Sequence, residues 1–95
     1  MPKGYLVAHI AVHDAAGFEA FRPASAEAIR AHGGRVLVRS AAGDLREGQL
    51  SPLTIIVEFD DIETARRFYD SPAYAAARAL REPHSTTNLV LVEGV

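Results

Sequence analysis

An α+β fold is what this sequence predicts, with four strands and two helical segments in the order strand, helix, strand, strand, helix, strand. Three observations carry that reading. The runs Leu6-Val7-Ala8-His9-Ile10-Ala11-Val12, Ile55-Ile56-Val57 and Leu89-Val90-Leu91-Val92 are nearly continuously apolar instead of alternating, the pattern of strands covered on both faces. Between them lie two helix-patterned stretches, enough to cover one face of a sheet. A chain of 95 residues then has nothing left for the other face. Right-handed crossovers turn this element order into a ferredoxin-like βαββαβ domain, a four-stranded antiparallel sheet with both helices on one side. The cover for the second face is expected from another copy of the chain, so the partner predicted first is itself, in a homodimer. Two such sheets face to face make a dimeric α/β barrel.

Each element has a local cause. The first strand runs from about Tyr5 to Val12, and Asp14 is a good N-cap for the helix after it. Phe18, Phe21, Ser25, Ala28, Ile29 and His32 recur at helical spacing, with Pro23 inside the pattern predicting a kink or break. Gly33-Gly34 ends the helix, since glycine accepts the left-handed conformation of a helix terminus. Arg35–Ser40 is the second strand. Residues 41–52 hold Gly43, Gly48, Ser51 and Pro52 and read as an irregular excursion, with a short strand at Leu45–Glu47. Leu53–Phe59 is the third strand. Asp60 and Glu63 resemble a capping box opening the second helix, whose apolar side is Ala65, Phe68 and Tyr69. Ser71-Pro72 is a sharper restart, with a capping serine and a proline at the first helical position. Ala73–Arg81 is rich in strong helix formers, Pro83 stops it, and Asn88–Glu93 is the last strand. No repeat or linker divides residues 1–95, which are expected to form one domain.

Composition narrows the function. Ten basic against twelve acidic residues give a net charge of −2, which argues against a nucleic-acid partner. No run approaches the roughly 20 apolar residues that span a bilayer, so no membrane partner is expected. Without cysteine, disulfides, thiolate metal sites and cysteine nucleophiles are excluded. The N-terminal stretch lacks the features of a signal peptide, and a cytoplasmic location is expected. His9 and His13 would lie about 13 Å apart on a strand at ~3.3 Å per residue, too far to share an ion. Gly33-Gly34-Arg35 follows a helix and so cannot cradle a phosphate. No metal or other cofactor is therefore expected.

Strand alternation supplies the candidate site. If Ile55, Val57 and Phe59 lie under the helices, Thr54, Ile56 and Glu58 face the other way. Leu6, Ala8, Ile10 and Val12 match the helix side, which puts His9 with Glu58. Val36 and Val38 match it too, which sends Arg35, Leu37 and Arg39 to the open face. His9 and Glu58 are then candidate proton-transfer residues, since titratable groups in apolar surroundings mark sites. Arg39 is a candidate anion contact, because a guanidinium suits a carboxylate. Tyr69 and Tyr74 are candidate walls of a substrate pocket, although rings at helix-facing spacing favour packing on Phe68. Arg35 and Glu58 also fit a plain cross-strand ion pair. His32 reads as structural in a last helical turn, and His84 as lining a pocket mouth.

The segments GYLVAHIAVHD, HGGRVLVRS, VEFDDIETARRFYDSPAYAAARALR and LVLVEG together cover nearly the whole chain. On these the chain resembles a bacterial family known as domain of unknown function thirteen-thirty. The resemblance implies a ferredoxin-like subunit and a dimeric α/β barrel, and it implies no activity. Pro23 departs from the unbroken first helix of relatives. Other families on the barrel plan include cofactor-free monooxygenases and muconolactone-type isomerases, an analogy of fold alone. The function expected is binding of a small, partly apolar carbonyl or anionic compound. If the protein is catalytic, cofactor-independent isomerisation or monooxygenation suits it best. The alternative is a non-catalytic binding or interaction protein whose polar sheet residues only fix the dimer.

Overall fold

The computed structural model describes residues 2–95. The elements are β1 (Gly4–Val12), α1 (Ala15–Phe18), α2 (Phe21–Ala31), β2 (Arg35–Ser40), β3 (Leu53–Phe59), α3 (Ile62–Asp70), α4 (Pro72–Arg81), a 3₁₀ turn at Glu82–His84, and β4 (Ser85–Glu93). The strands form one antiparallel sheet in the order β2-β3-β1-β4, and the fold is ferredoxin-like.

The first helical segment is split. Asp14 caps α1 by accepting from the Gly17 amide at 3.2 Å, and the chain turns at Glu19 and Ala20 before α2 begins. Pro23 causes this from one turn downstream. Its ring nitrogen cannot donate to the Glu19 carbonyl four residues back, and its ring crowds that carbonyl. The Glu19 carbonyl instead accepts from the Arg22 amide at 3.3 Å. At the far end Gly33, with φ of 71°, closes α2 with a paired turn. Its amide reaches the Arg30 carbonyl at 3.1 Å, and the Gly34 amide reaches that of Ile29 at 2.9 Å.

Four boundaries differ from the sequence expectation. The cap of α3 is Asp61, one residue later than the expected Asp60. It accepts from both the Thr64 amide and the Thr64 hydroxyl at 2.7 Å. Leu45–Glu47 is irregular and forms no strand, consistent with a segment punctuated by glycine and proline. β4 starts at Ser85, three residues before the expected Asn88, because Thr86 and Thr87 pair with Ala11 and Ile10 despite their polar side chains. The fourth difference lies inside β2. Val36 pairs with Val57, but Val38 pairs with the adjacent Ile56, which leaves Leu37 as an extra residue in a β-bulge.

The core lies between the helices and one sheet face. Leu6, Ala8 and Ile10 of β1 meet Ile55, Val57 and Phe59 of β3, with Phe21, Ala28, Ile29, Ala65, Phe68, Tyr74 and Ala77 above them, all buried. Phe68 is its centre, with ring centroids 5.0 Å from Phe59 and 4.5 Å from Tyr74.

The opposite face is arranged in three rows across the strands. Arg35, Glu58, Tyr5 and Val92 form one, Val38, Ile56, Val7 and Val90 the next, and Ser40, Thr54, His9 and Asn88 the third. The middle row is wholly apolar, yet Val90 in it is 55% exposed.

Candidate functional site

The bulge decides where the site residues go. Across an extra residue the alternation of side chains inverts. Arg35 therefore faces the open side opposite Glu58, as expected, but Arg39 pairs with Ile55 and takes the helix side. Val38 moves the other way, to the open face beside Ile56. The placement of Arg39 and Val38 from simple alternation is thus corrected, and Leu37 is the cause.

On the open face Glu58 is tightly engaged. One carboxylate oxygen accepts from Nε and Nη2 of Arg35 at 3.0 and 2.8 Å, and the other from the Tyr5 hydroxyl at 2.9 Å. These bonds, Arg35 first and Tyr5 second, hold its pKa below the usual carboxylate value. The Tyr5 hydroxyl is correspondingly pushed up, chiefly because it donates to Glu58. A carboxylate so stabilised is a weak proton acceptor near neutral pH. His9 shares this face, with Nδ1 3.2 Å from the Thr54 hydroxyl, but it pairs four positions along β3 from Glu58. At ~3.3 Å per residue the two are about 13 Å apart, so the structure does not bring them together.

A cleft of about 280 Å³ opens on the helix side. Phe18, Glu19, Phe21, Arg22 and Ser25 supply one wall, from the corner between α1 and α2. Arg39, Ser40 and Ala41 at the end of β2, with Leu53 and Ile55 of β3, supply the other. Among the described residues neither Arg22 nor Arg39 makes an ion pair. Arg39 is exposed overall, and its pKa is lowered, first by partial loss of solvent and then by the like charge of Arg22. Two exposed guanidinium groups thus stand beside an apolar floor. Glu19 is the one carboxylate lining it.

Behind the cleft, Phe21, Ser25, Arg39 and Ile55 also line a void of about 20 Å³ that reaches Tyr74, Arg81 and Thr87. Tyr74 is buried and packs on Phe68. Tyr69 is not among the lining residues. Its hydroxyl accepts from Arg78 at 2.6 Å, and that guanidinium lies 5.0 Å from its ring centroid. His84 does not line the cleft either. Its ring packs on Gly17, where a Cβ would come within 2.5 Å of Nδ1, and Nδ1 lies 3.5 Å from Asp14. His32 bonds the Ala28 carbonyl at 2.8 Å and rests on Phe68. Among the described residues no three His, Asp or Glu side chains converge as metal ligands, and no helix is long and apolar enough to cross a membrane.

Sequence reasoning missed the cleft wall of Phe18, Glu19, Arg22 and Ser25, and it missed Arg81. The signal for Arg81 was available. Tyr74, Ala77 and Arg81 fall at i, i+3 and i+7, the buried stripe of α4, so an arginine occupies a core position.

Comparison with known proteins sets this geometry in context. A family model described as domain of unknown function (DUF1330) matches residues 3–95. No curated protein matches the chain. Among solved structures, a protein of unknown function from Rhodopseudomonas palustris superposes with a TM-score of 0.73 at 12% identity, over 99% of this chain and 83% of that one. SnoaB, a cofactor-independent oxygenase from Streptomyces nogalater, superposes at 0.67 with 20% identity, over 97% and 92%. A dimeric ferredoxin-like protein of unknown function from Thermobifida fusca gives 0.66 at 15% identity, over 97% and 91%. At these identities the likeness is one of fold.

Proposed function

Taking as premise that the chain belongs to the family of the domain of unknown function DUF1330, we propose that it is a cytoplasmic homodimer that binds a small, partly apolar anionic or carbonyl compound in its helix-side cleft. The observation that carries this is Arg39. Among the described residues it has no carboxylate partner, and it shares the cleft with the like charge of Arg22, which an anionic ligand would offset. Phe18, Phe21, Leu53 and Ile55 suit the apolar body of such a ligand. Tyr74 contributes to the inner wall, and Tyr69 serves packing and the hold on Arg78.

The open face has a separate task in this reading. Its apolar row packs on a second copy, and Arg35, Glu58 and Tyr5 fix the register of that contact. The Thermobifida fusca protein, described as dimeric and of the same fold, supports the pairing. His9 lies on that face, so any proton transfer involving it would take place at the dimer contact, away from the cleft. If turnover accompanies binding, cofactor-independent oxygenation or isomerisation is the class to assay first, on the analogy of fold with SnoaB.

Calorimetric titration with benzoate and its neutral isostere benzamide tests the cleft. Benzoate should bind at least about tenfold tighter, and Arg39→Met should remove that difference, as expected for a charge-assisted contact. Equal affinities, or benzoate binding that ignores Arg39, would count against the reading.

A further inference from the structure

Arg81 is 5% exposed, at a depth where arginine is rarely found unless paired. Among the described residues it has no carboxylate partner. Its guanidinium is nevertheless fixed. Nη1 donates to the Thr87 hydroxyl at 3.0 Å, Nη2 lies 3.4 Å from the Tyr74 hydroxyl, and the group sits 5.4 Å from the Phe21 ring centroid. Nε is buried and has no partner at all. A buried donor left unsatisfied is costly, and more so when it carries charge. Structural arginines in cores are matched by carboxylates or carbonyls, and this one is matched by neither.

Arg81 also lines the void behind the cleft. At about 20 Å³ that void has room for one water-sized atom. It is far narrower than the cleft in front of it and can take a terminal oxygen of a ligand. Resting on the reading of the cleft as an acid-binding site, we propose that Arg81 receives a single oxygen at the inner end of the ligand, so that the ligand carries an acid group held by Arg39 and a carbonyl, hydroxyl or phenolate oxygen at its far end. The class is a hydroxy- or oxo-acid with an apolar middle. Tyr74 and Thr87 act as positioning residues that aim the guanidinium, and the apolar surroundings strengthen its hold on an oxygen bearing negative charge.

The test compares benzoate with meta- and para-hydroxybenzoate, which share the acid and differ in the far oxygen. At least one hydroxybenzoate should bind about tenfold tighter than benzoate. Arg81→Lys should erase that gain while leaving benzoate affinity unchanged. On the unaltered protein, the Arg81 Nε–H resonance in a nitrogen–proton NMR spectrum should shift with the hydroxybenzoate and stay in place with benzoate, a readout that does not depend on how the variant folds. If neither hydroxyl adds affinity and the resonance does not move while benzoate still depends on Arg39, the void holds a permanent water, and the Arg81 proposal falls with the cleft reading intact. If none of the acids binds, both readings fall.

Discussion

Glu58 shows how neighbours decide what a carboxylate can do. Both of its oxygens are occupied by Arg35 and Tyr5, and its pKa is lowered as a result. A lowered pKa in the folded state means that the unfolded chain binds the proton more readily. The contribution of Glu58 to stability is therefore complete above its ordinary value of 4.5 and is lost as pH falls through the lower folded value. Thermal melts of the wild type and Glu58→Gln should differ at neutral pH and converge in acid below pH 4.5. A difference that persists or widens in acid would contradict the ion-pair account. The pairing of Arg35 with Glu58 was legible in the sequence because both lie on the regular side of the bulge. The burial of Arg81 was signalled by its place on the Tyr74-Ala77 stripe, but its unpaired Nε depends on tertiary neighbours that no spacing reveals.

At the scale of elements, two interruptions shape the cleft. Pro23 splits the first helix, the corner left between α1 and α2 forms one wall, and a proline is visible in any sequence. The β-bulge at Leu37 sets the other wall, and nothing in Arg-Val-Leu-Val-Arg-Ser marks it. A strand rich in valine and leucine accommodates either register, and the register is settled by pairing with β3. That is why alternation placed β1 and β3 correctly and misplaced Arg39 and Val38. The bulge predicts the outcome of an unusual variant. Deleting Leu37 removes only the unpaired residue, so Val36 and Val38 keep Val57 and Ile56 as partners and Arg39 keeps its place. Benzoate affinity should stay within about twofold and stability within about 1 kcal/mol, the scale of a change at an exposed, unpaired position. Loss of binding in a folded deletion variant, followed by circular dichroism and calorimetry, would mean that Leu37 is more than an extra residue and that Arg39 does not keep its pairing with Ile55 without it.

The whole molecule divides its labour between the two faces of one sheet. One face carries the helices, the core and the cleft. The other carries an apolar row, Val38, Ile56, Val7 and Val90, bounded by polar rows on either side. The doubly apolar strands made this apolar open face readable in the sequence, whereas the helix-side cleft depends on the bulge and on the split helix and was not readable. An exposed valine on a monomer tolerates a charge with little effect, within about 0.5 kcal/mol, so Val90→Asp separates association from folding. Sedimentation equilibrium from low to high micromolar concentration is the direct measurement. The account predicts a species of twice the 10.2 kDa subunit mass, reduced to one subunit by Val90→Asp with the circular dichroism unchanged. A wild-type protein that stays at 10.2 kDa throughout would contradict it.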